Sequence, residues 1–455
     1  MTAVTSAASP IRFPDAGSRH VMTMRGWWLV ALNLLIPGSA QVLAGNRRLG
    51  RFGLGATLVL WTLAVLAIVS SFLWRATLIS IVTNPFVLWL LAAGAAFYAV
   101  LWIVLTLDTL RLVRFVKVAP GARPLIAGFT ALALLLVAGS AGYGAVLATS
   151  ASGFLSSVFT AAPPVDPIDG RYNFLLLGGD SGPDRDGMRP DSTSVVSVDA
   201  ETGDTVIIGI PRDLLDAPFP ADSPMHERYP DGYGANGCEV DVCQFNSIYT
   251  EVELYEPQLY PDAEANGSSP GIEAVRDASE GVTGLTIQYY ALIDMQGFSE
   301  LVDALGGVDV DVQSDVPIHA DETFTTVAEW IYAGPQHLDG YHALWFARSR
   351  HGSSDYDRMA RQRQLQEAIV QQFTPANVLA KFQSIAAAGS QTVRTDVPQS
   401  MLGPFVDLAD KARNQPITTV ELVPPNVEPD EPDYEYIGQL IDAALNPPET
   451  EAPAG

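Results

Sequence analysis

The chain has 455 residues, enough for a membrane part and one sizeable soluble domain. Its formal net charge is −25, yet residues 1–150 carry eleven Lys and Arg against two acids. The rest of the chain therefore holds 15 of the 26 basic and 49 of the 51 acidic side chains. This acidic excess argues against a nucleic-acid-binding protein, because affinity for a phosphate backbone requires clustered Lys and Arg.

Three apolar segments near the N-terminus are long enough to cross a bilayer, which takes about 20 helical residues. They are residues 53–73, 85–108 and 125–149. An earlier apolar segment, residues 27–44, is shorter and is interrupted at Pro37-Gly38. Arginines flank it on both sides, and cytoplasmic loops collect Lys and Arg. We therefore interpret this segment as re-entrant or interfacial, with an additional full span as the alternative.

The basic residues also predict which side of the membrane each loop faces. Four of them lie between the second and third segments, which places that loop in the cytoplasm. Three spans then place everything after about residue 150 outside it. A cleaved signal peptide is not expected, because the first apolar run lacks the form of an N-terminal segment with a small-residue cleavage site. Residues 1–150 are thus predicted to form a multi-pass module of the cell membrane, followed by an extracytoplasmic part.

Cys238 and Cys243 are the two cysteines of the chain, and both lie in the predicted external part. Outside the cytoplasm, a pair this close in sequence most simply forms a structural disulfide that staples a loop. A metal site is the alternative, but no nearby His or Cys pair completes a four-ligand set. The sequence therefore predicts a disulfide.

Beyond a linker predicted at residues 151–170, strand and helix patterns alternate. Short apolar runs predict strands at 172–178, 194–199, 205–210, 288–294 and 308–312. Helical patterns lie at about 271–282, 296–305, 339–346, 356–373 and 399–412. This alternation implies an α/β domain with αβα layers over residues 171–425. Residues 426–455, rich in Pro and acids, are predicted to be a tail with one short helix near 434–445.

Polar and charged residues gather near the ends of these strands and in loops, where α/β folds tend to place chemistry. They are Asp180, Asp191, Arg212, Asp213, Arg348, Arg350, Asp355, Arg358 and Gln362. Arginine forks bind phosphate oxygens and stabilise charge in phosphoryl transfer. Carboxylates such as Asp180 and Asp191 can hold Mg²⁺ or take a proton from an attacking hydroxyl. From the residues alone, the pattern predicts a site for an anionic substrate and leaves its chemistry open.

Each of these residues also has a purely structural interpretation. Asp213 taken singly would cap a turn or pair with a neighbouring Arg. The Arg-Ser-Arg segment at 348–350 would be a solvated helix end. Arg358, Arg361 and Arg363 would form one face of an exposed helix. The histidines of the external part have no metal-like spacing, so a zinc site is not expected.

In combination, seven stretches resemble the LytR-CpsA-Psr family of cell-wall phosphotransferases. In order, they are residues 173–181, 189–192, 210–213, 246–249, 297–310, 334–344 and 347–362. The resemblance covers about residues 171–373, nearly the whole predicted external domain. Ordered agreement over seven motifs is far more specific than any one motif.

The resemblance implies an activity. Such proteins move a glycopolymer from a polyprenyl-pyrophosphate carrier, whose lipid tail lies in an apolar cavity, to a peptidoglycan hydroxyl, usually the 6-hydroxyl of N-acetylmuramic acid. The expected partners are the lipid-linked glycan, peptidoglycan and the membrane, with no nucleic acid. The expected cofactor is Mg²⁺, with Mn²⁺ as a substitute.

Carried over by position, the resemblance also assigns roles. Asp180 and Asp191 would be the metal-associated acids, and Asp191 would also activate the acceptor. The expected pyrophosphate contacts are Arg212, Arg348, Arg350, Asp355, Arg358 and Gln362, and the expected catalytic residues are Asp191, Arg212 and Arg350. Asp213 would orient Arg212.

The sequence departs from the family pattern in three places. Many relatives have Lys just before the motif at 246–249, whereas this chain has Gln244-Phe245. The usual Ser-Asp-Thr-Met is Pro-Asp-Ser-Thr at 190–193, which keeps the acid. The region 214–245 is longer than in the simplest relatives. Because that Lys is absent, one phosphate-facing charge is expected to be missing or supplied elsewhere.

Two other functions remain open. A lipid-pyrophosphate phosphatase would use the same Arg and Asp residues with water in place of a sugar hydroxyl. A non-enzymatic surface regulator is the other alternative, since relatives have carried labels such as transcriptional attenuator. The absence of a DNA-binding pattern and the complete set of charged residues favour the transferase.

Overall fold

The computed structural model describes residues 11–180, 189–321, 325–372 and 393–447. The chain folds into two compact units, Met1–Ser152 and Gly153–Gly455. Their boundary lies close to residue 150, where the sequence predicted the end of the membrane module. Each unit has hydrophobic clusters of its own.

Helices make up most of the chain as far as Val158. They are α1 (Arg19–Leu35), α2 (Ser39–Ala44), α3 (Arg47–Leu73), α4 (Arg75–Thr83), α5 (Pro85–Val113) and α6 (Ala122–Val158), with a 3-10 turn at Phe115–Lys117. Asparagines cap α3 and α5: the side chains of Asn46 and Asn84 accept hydrogen bonds from N–H groups of the first turn.

Three of the described helices, α3, α5 and α6, are long and apolar enough to cross a membrane. They contain the three segments predicted from the sequence. The structure corrects one boundary, because α6 continues to Val158 and so includes the first residues of the predicted linker at 151–170. No Pro interrupts this stretch, and its small and apolar residues are compatible with a continued helix.

The early apolar segment forms a hairpin of α1 and α2 against α5. Near the start of α1, the Arg25 guanidinium donates a 2.8 Å hydrogen bond to the carbonyl of Leu112, close to the end of α5. Further along α1, the Asn33 amide donates to Oγ1 of Thr106 at 2.9 Å. After α2, Gly45 lies against Leu112 again, since a Cβ there would be 2.7 Å from its Cδ1. Both ends of the hairpin thus lie beside the same end of α5.

Two glycines allow the hairpin to pack closely on α3. Gly38, at the bend between α1 and α2, has φ +93°, and a Cβ on it would lie 2.5 Å from the backbone nitrogen of Leu54. Gly50 of α3 faces α2, where a Cβ would lie 2.6 Å from the nitrogen of Val42. The hairpin is therefore held by specific backbone contacts rather than by apolar composition alone.

The second unit is built on a mixed sheet of six strands. Its strands are β1 (Arg171–Asp180), β2 (Arg189–Asp199), β3 (Thr205–Ile210), β4 (Tyr289–Asp294), β9 (Val393–Thr395) and β10 (Ile417–Glu421), in the order β10-β3-β2-β1-β4-β9. The pairs β1–β4 and β3–β10 are parallel, and the other pairs are antiparallel. Two small sheets accompany it. They pair β5 (Val308–Val312) with β8 (Gly334–Leu338), and β6 (Val316–Ala320) with β7 (Val327–Ile331).

Helices cover both faces of the large sheet. They are α7 (Pro224–Arg228), α8 (Ile248–Leu254), α9 (Pro270–Thr283), α10 (Met295–Leu305), α11 (Gly340–Arg348), α12 (Asp355–Gln372), α13 (Leu402–Ala412) and α14 (Tyr434–Leu445). On one face, Leu175, Val195 and Ile208 pack into a core with α8, α9 and α14. The other face carries Phe174 and Val196, which pack against α13. The αβα layers predicted from the sequence are confirmed, as are the five predicted strands and five predicted helices within a few residues.

The C-terminal boundary of the domain lies later than predicted. Val427, Ile437 and Ile441 are buried in the same core as the sheet. The helix predicted near 434–445 is α14, and its apolar face anchors it to the domain. Residues 426–445 therefore belong to the folded unit and not to a tail, while residues 448–455 lie outside the described part of the chain.

Candidate active site

A cavity of about 580 Å³ lies between the large sheet and helices α10, α11 and α12. The sheet contributes Phe174, Leu176 and Ile293, and the helices contribute Phe298, Leu301 and Ile369. These residues lie on the face of the sheet opposite the main core, because successive side chains of a strand point to opposite faces. The result is an apolar chamber inside the α/β domain.

Helix α12 sets the polarity of the cavity along its length. Arg358, Gln362, Leu365 and Ile369 follow one another at helical spacing and all line the cavity. The N-terminal turns of α12 therefore present charged and polar groups, and the later turns present apolar groups. The arrangement suits a ligand with an anionic head and an apolar tail.

Five charged side chains meet at the polar end of this cavity. Asp191 contacts Arg212 at 3.6 Å through Oδ1 and Arg350 at 3.2 Å through Oδ2. Asp355 contacts Arg212 at 3.1 Å and Arg350 at 3.6 Å. Arg358 donates to both Asp355 oxygens, at 3.1 and 2.9 Å, and to the backbone carbonyl of Asp191 at 3.0 Å. Residues that are far apart in sequence thus form one network, here called the arginine cluster (Asp191, Arg212, Arg350, Asp355, Arg358).

Burial and neighbouring charges act on this cluster in opposite directions. Burial alone would raise the pKa of Asp355, but the hydrogen bond from Arg358 and the charges of Arg358, Arg212 and Arg350 together hold that pKa below its ordinary value. Burial, followed by repulsion from Arg358 and Arg212, lowers the pKa of Arg350. The two carboxylates thus hold together arginines that repel one another, and an added anion would relieve that repulsion.

Two predicted pyrophosphate residues lie at the cavity but outside the cluster. Arg348 lines the cavity and is exposed, with its guanidinium 5.6 Å from the ring centre of Trp345. Gln362 also lines it, but its amide nitrogen donates to the carbonyl of Ala347 at 3.1 Å. The Gln362 Oε1 is buried and accepts no hydrogen bond from the described residues.

The other predicted site residues have mixed outcomes. Asp180 ends β1, and its side chain lies outside the described part of the structure. Asp213 does not hold Arg212 in the described part of the chain: the charged partners of Arg212 are Asp191 and Asp355, and Oδ1 of Asp213 is buried without a hydrogen-bond partner. The motif at 189–192, which precedes the strand predicted at 194–199, lies in β2.

The structure excludes the interpretation of Arg358, Arg361 and Arg363 as an exposed helix face, because all three are buried. Arg361 donates to backbone carbonyls at the end of α11, and Arg363 pairs with Glu421 at 3.2 Å. Sequence reasoning gave neither residue a role. A signal was present, since three arginines within six residues of a helix are hard to account for as a solvated face in so acidic a domain.

Cys238 and Cys243 form the predicted disulfide, with an S–S distance of 2.08 Å and a Cα–Cα distance of 5.8 Å. It lies in the segment between β3 and α8. Among the residues that the structure describes, no group of three or more His, Cys, Asp or Glu is arranged to hold a metal ion. Any metal at the arginine cluster would therefore depend on ligands from the substrate or from outside the described residues.

Comparisons with known proteins agree with the resemblance. A model of the LytR_cpsA_psr family matches residues 157–440, more than half of the chain. Cell wall biosynthesis protein LcpA of Corynebacterium glutamicum is 29% identical over 250 residues, covering 50% of this chain and 45% of that protein. Polyisoprenyl-teichoic acid--peptidoglycan teichoic acid transferase TagU of Enterococcus faecalis is 27% identical over 231 residues, covering 50% of this chain and 61% of that protein.

The chain matches only about half of the length of these curated relatives. Among solved structures, the crystal structure of B. subtilis TagV aligns with a TM-score of 0.43 and 21% identity, covering 61% of this chain and 96% of that one.

Proposed function

The chain belongs to the LytR-CpsA-Psr family, and from this membership we propose that it transfers a phosphate-linked glycopolymer from a polyprenyl-pyrophosphate carrier to a hydroxyl of peptidoglycan. The acceptor is proposed to be the 6-hydroxyl of N-acetylmuramic acid. Relatives named as teichoic acid transferases and as a cell wall biosynthesis protein support transfer to the cell wall. The protein would be a phosphotransferase of the cell membrane with an extracytoplasmic catalytic domain.

The observation that carries this proposal is the arginine cluster at the polar end of an apolar cavity. A polyprenyl pyrophosphate is an anionic head on an apolar chain, and the cavity has the same order of polarity. The arginine cluster has three arginines against two carboxylates, and Arg348 and Asp294 also line the cavity. Positive charge therefore exceeds negative charge among these residues, and a pyrophosphate diester, with about two negative charges, would offset it.

The proposed step is one displacement at phosphorus. The acceptor hydroxyl oxygen bonds to the phosphorus that carries the glycan, the bond from that phosphorus to the bridging oxygen breaks, and polyprenyl monophosphate leaves. Arg212, Arg350 and Arg358 stabilise the charge that collects on the leaving phosphate. Asp191 takes the hydroxyl proton. Its oxygens contact Arg212 and Arg350 in the free protein, and these arginines would turn to the pyrophosphate, which would free the carboxylate to accept the proton.

Mg²⁺, or Mn²⁺ in its place, is proposed as the cofactor. Mg²⁺ in phosphoryl-transfer sites is commonly held by one or two carboxylates together with substrate phosphates. Asp191 fits that mode because it lines the cavity and contacts Arg212 and Arg350, and Asp180 would be the second. The ion would neutralise phosphate charge.

A transfer assay tests the proposal. The full chain in detergent is incubated with a polyprenyl-pyrophosphate glycan, Mg²⁺ and peptidoglycan fragments, and mass spectrometry identifies the products. We expect a phosphodiester-linked glycan–peptidoglycan product that Asp191→Ala abolishes. Release of phosphate without that product would support the phosphatase instead, and failure to bind the lipid-linked glycan would support a surface regulator.

A further inference from the structure

We infer that Arg361 is a positioning residue that fixes the segment 346–353, which carries Arg348 and Arg350, in the geometry needed to bind pyrophosphate. The inference rests on the proposed function and assigns a role to a residue that would not itself touch the substrate. Arg361 is 8% exposed and lies one helical turn after Arg358 on α12.

The guanidinium of Arg361 binds the segment at three points. Its Nε donates to the carbonyl of Phe346 at 2.8 Å, and one terminal nitrogen donates to the carbonyl of Ser349. The other terminal nitrogen donates to Oγ of Ser353 at 3.3 Å. These acceptors lie on both sides of Arg350, so a single planar group fixes the chain before and after it.

The end of α11 explains why these donors are needed. The last four carbonyls of a helix have no intrahelical partner, and α11 ends at Arg348. Arg361 supplies a donor to Phe346, and its neighbour Gln362 supplies one to the carbonyl of Ala347 at 3.1 Å. Consecutive side chains of α12 thus satisfy consecutive carbonyls of α11.

This arrangement also changes the expectation for Gln362. Turning its amide over would bring Oε1 against the carbonyl oxygen of Ala347, where two acceptors would repel each other. One N–H of the amide is therefore committed to Ala347, so Gln362 supports the same segment as Arg361, and its second N–H remains available to pyrophosphate.

Arg350 depends on this support because its own side chain is 44% exposed and the chain from Ser349 to Ser354 forms neither helix nor strand. Ser349 adds one tether, since its hydroxyl donates to the carbonyl of Pro317 at 2.7 Å. Charge-assisted hydrogen bonds weaken steeply when their distance and angle depart from the ideal, so a small displacement of Arg350 reduces its contribution to binding. Losing the three contacts of Arg361 should therefore weaken pyrophosphate binding even though Arg350 itself remains.

Arg363 is a matched control on the same helix. It is 3% exposed and, like Arg361, makes more than one polar contact: Nε lies 3.2 Å from Oε1 of Glu421, and Nη1 donates to Oε1 of Gln366 at 2.5 Å. Its hydrogen bonds and ion pair within the described residues do not reach the segment 346–353. Replacing Arg363 by Lys should therefore disturb the packing of α12 without moving Arg350 directly.

The experiment compares Arg361→Lys with Arg363→Lys in the full chain in detergent. Calorimetric titration with inorganic pyrophosphate measures binding, and thermal unfolding measures stability. We expect both variants to melt at lower temperature. Only Arg361→Lys should weaken pyrophosphate binding, by about 10-fold or more, the equivalent of one hydrogen bond to a charged group, with Arg363→Lys within about 2-fold of the wild type. Unchanged binding in Arg361→Lys, or equal weakening in both variants, would overturn the inference.

If Arg361→Lys does not fold, Ser353→Ala tests the inference instead, because it removes only the 3.3 Å hydrogen bond from Arg361 to Oγ of Ser353. A loss of about 2- to 5-fold in pyrophosphate affinity is expected, and no loss would overturn the inference. The titration measures pyrophosphate binding and so tests the positioning role of Arg361, whereas the transfer assay tests the proposed function. Pyrophosphate binding that follows this pattern in a chain that makes no transfer product would therefore count against the proposed function alone.

Discussion

The two units of the molecule bury polar side chains in different ways. In the membrane unit these are mostly neutral: the amide of Gln41 donates to the carbonyl of Leu105, and the hydroxyl of Thr57 to the carbonyl of Pro37. In the second unit they include the buried Arg358 and the half-buried Asp191 and Asp355, gathered at one end of one cavity. Neutral hydrogen bonds can fix helices in an apolar setting at small desolvation cost, whereas buried charges are expensive unless paired.

The difference shows what each arrangement is suited to do. The hydrogen bonds of the membrane unit hold α1 and α2 against α3 and α5. Both the donor and the acceptor of each bond belong to the chain, so these bonds serve its packing. The arginine cluster has more positive than negative charge, and its arginines repel one another. It is therefore suited to bind an anion. The predictions below test whether transfer depends on the arginine cluster and whether the first unit depends on the close packing of its helices.

The largest expected effect is on the charged site. Arg350→Ala, like Arg212→Ala, should reduce transfer about 1,000-fold or more, because each removes a charge that stabilises the leaving phosphate. The Arg350 side chain is 44% exposed, so the melting temperature should change little. Product formation and thermal unfolding measure the two quantities, with Arg413→Ala, directly after α13, as control. A wild-type rate in both variants would refute the site assignment.

A second prediction tests the packing of the membrane unit. Gly50→Leu should destabilise it by roughly 2–3 kcal/mol or more, because a Cβ there meets the backbone of α2 at 2.6 Å. Gly55→Leu, on the same helix, is the control, since no atom lies within 4 Å of its Cβ position. Thermal unfolding of the detergent-solubilised chain compares them. Equal stability of the two variants would mean that α2 does not pack on α3 as described.

A third prediction concerns the disulfide. Cys238→Ser with Cys243→Ser opens a loop of sequence separation 5, and should lower the free energy of unfolding by roughly 2 kcal/mol. Denaturant unfolding measures this loss. Transfer at 25 °C should continue at nearly the wild-type rate, because the disulfide lies outside the arginine cluster. A zinc requirement, or loss of transfer in the folded variant, would contradict a purely structural role.

The smallest expected effect is a pH dependence of stability. The pKa of Asp355 is lower in the folded chain than in the unfolded one, so its contribution is present above the unfolded value of about 3.9 and is lost as pH falls through the folded value. At neutral pH, Asp355→Asn should therefore melt below the wild type, and the gap should narrow on acidification below about pH 4. A gap that stays constant across this range would show that the charge of Asp355 does not stabilise the fold.

Much of the fold was predictable because buried strands have a simple pattern. The unbroken apolar run at β3 predicted its bounds without error, whereas the edge strand β10 was missed because Thr418, Thr419 and Glu421 interrupt its apolar residues. The number of arginines in α12 argued against an exposed face, but the partners of Arg361 and Arg363 were not predictable, since they depend on how α12 packs against the end of α11 and against Glu421. The motifs indicated which residues form the site, but only the fold shows that Asp355 rather than Asp213 holds Arg212.

The central claim is that the arginine cluster binds the pyrophosphate and the apolar cavity binds the prenyl chain. An experimental structure of the full chain with a polyprenyl-pyrophosphate glycan tests it most directly. We expect both phosphates within hydrogen-bond distance of Arg212, Arg350 and Arg358, and the first isoprene units between α12 and the sheet. Phosphates bound away from these arginines, or a prenyl chain outside the cavity, would contradict the claim.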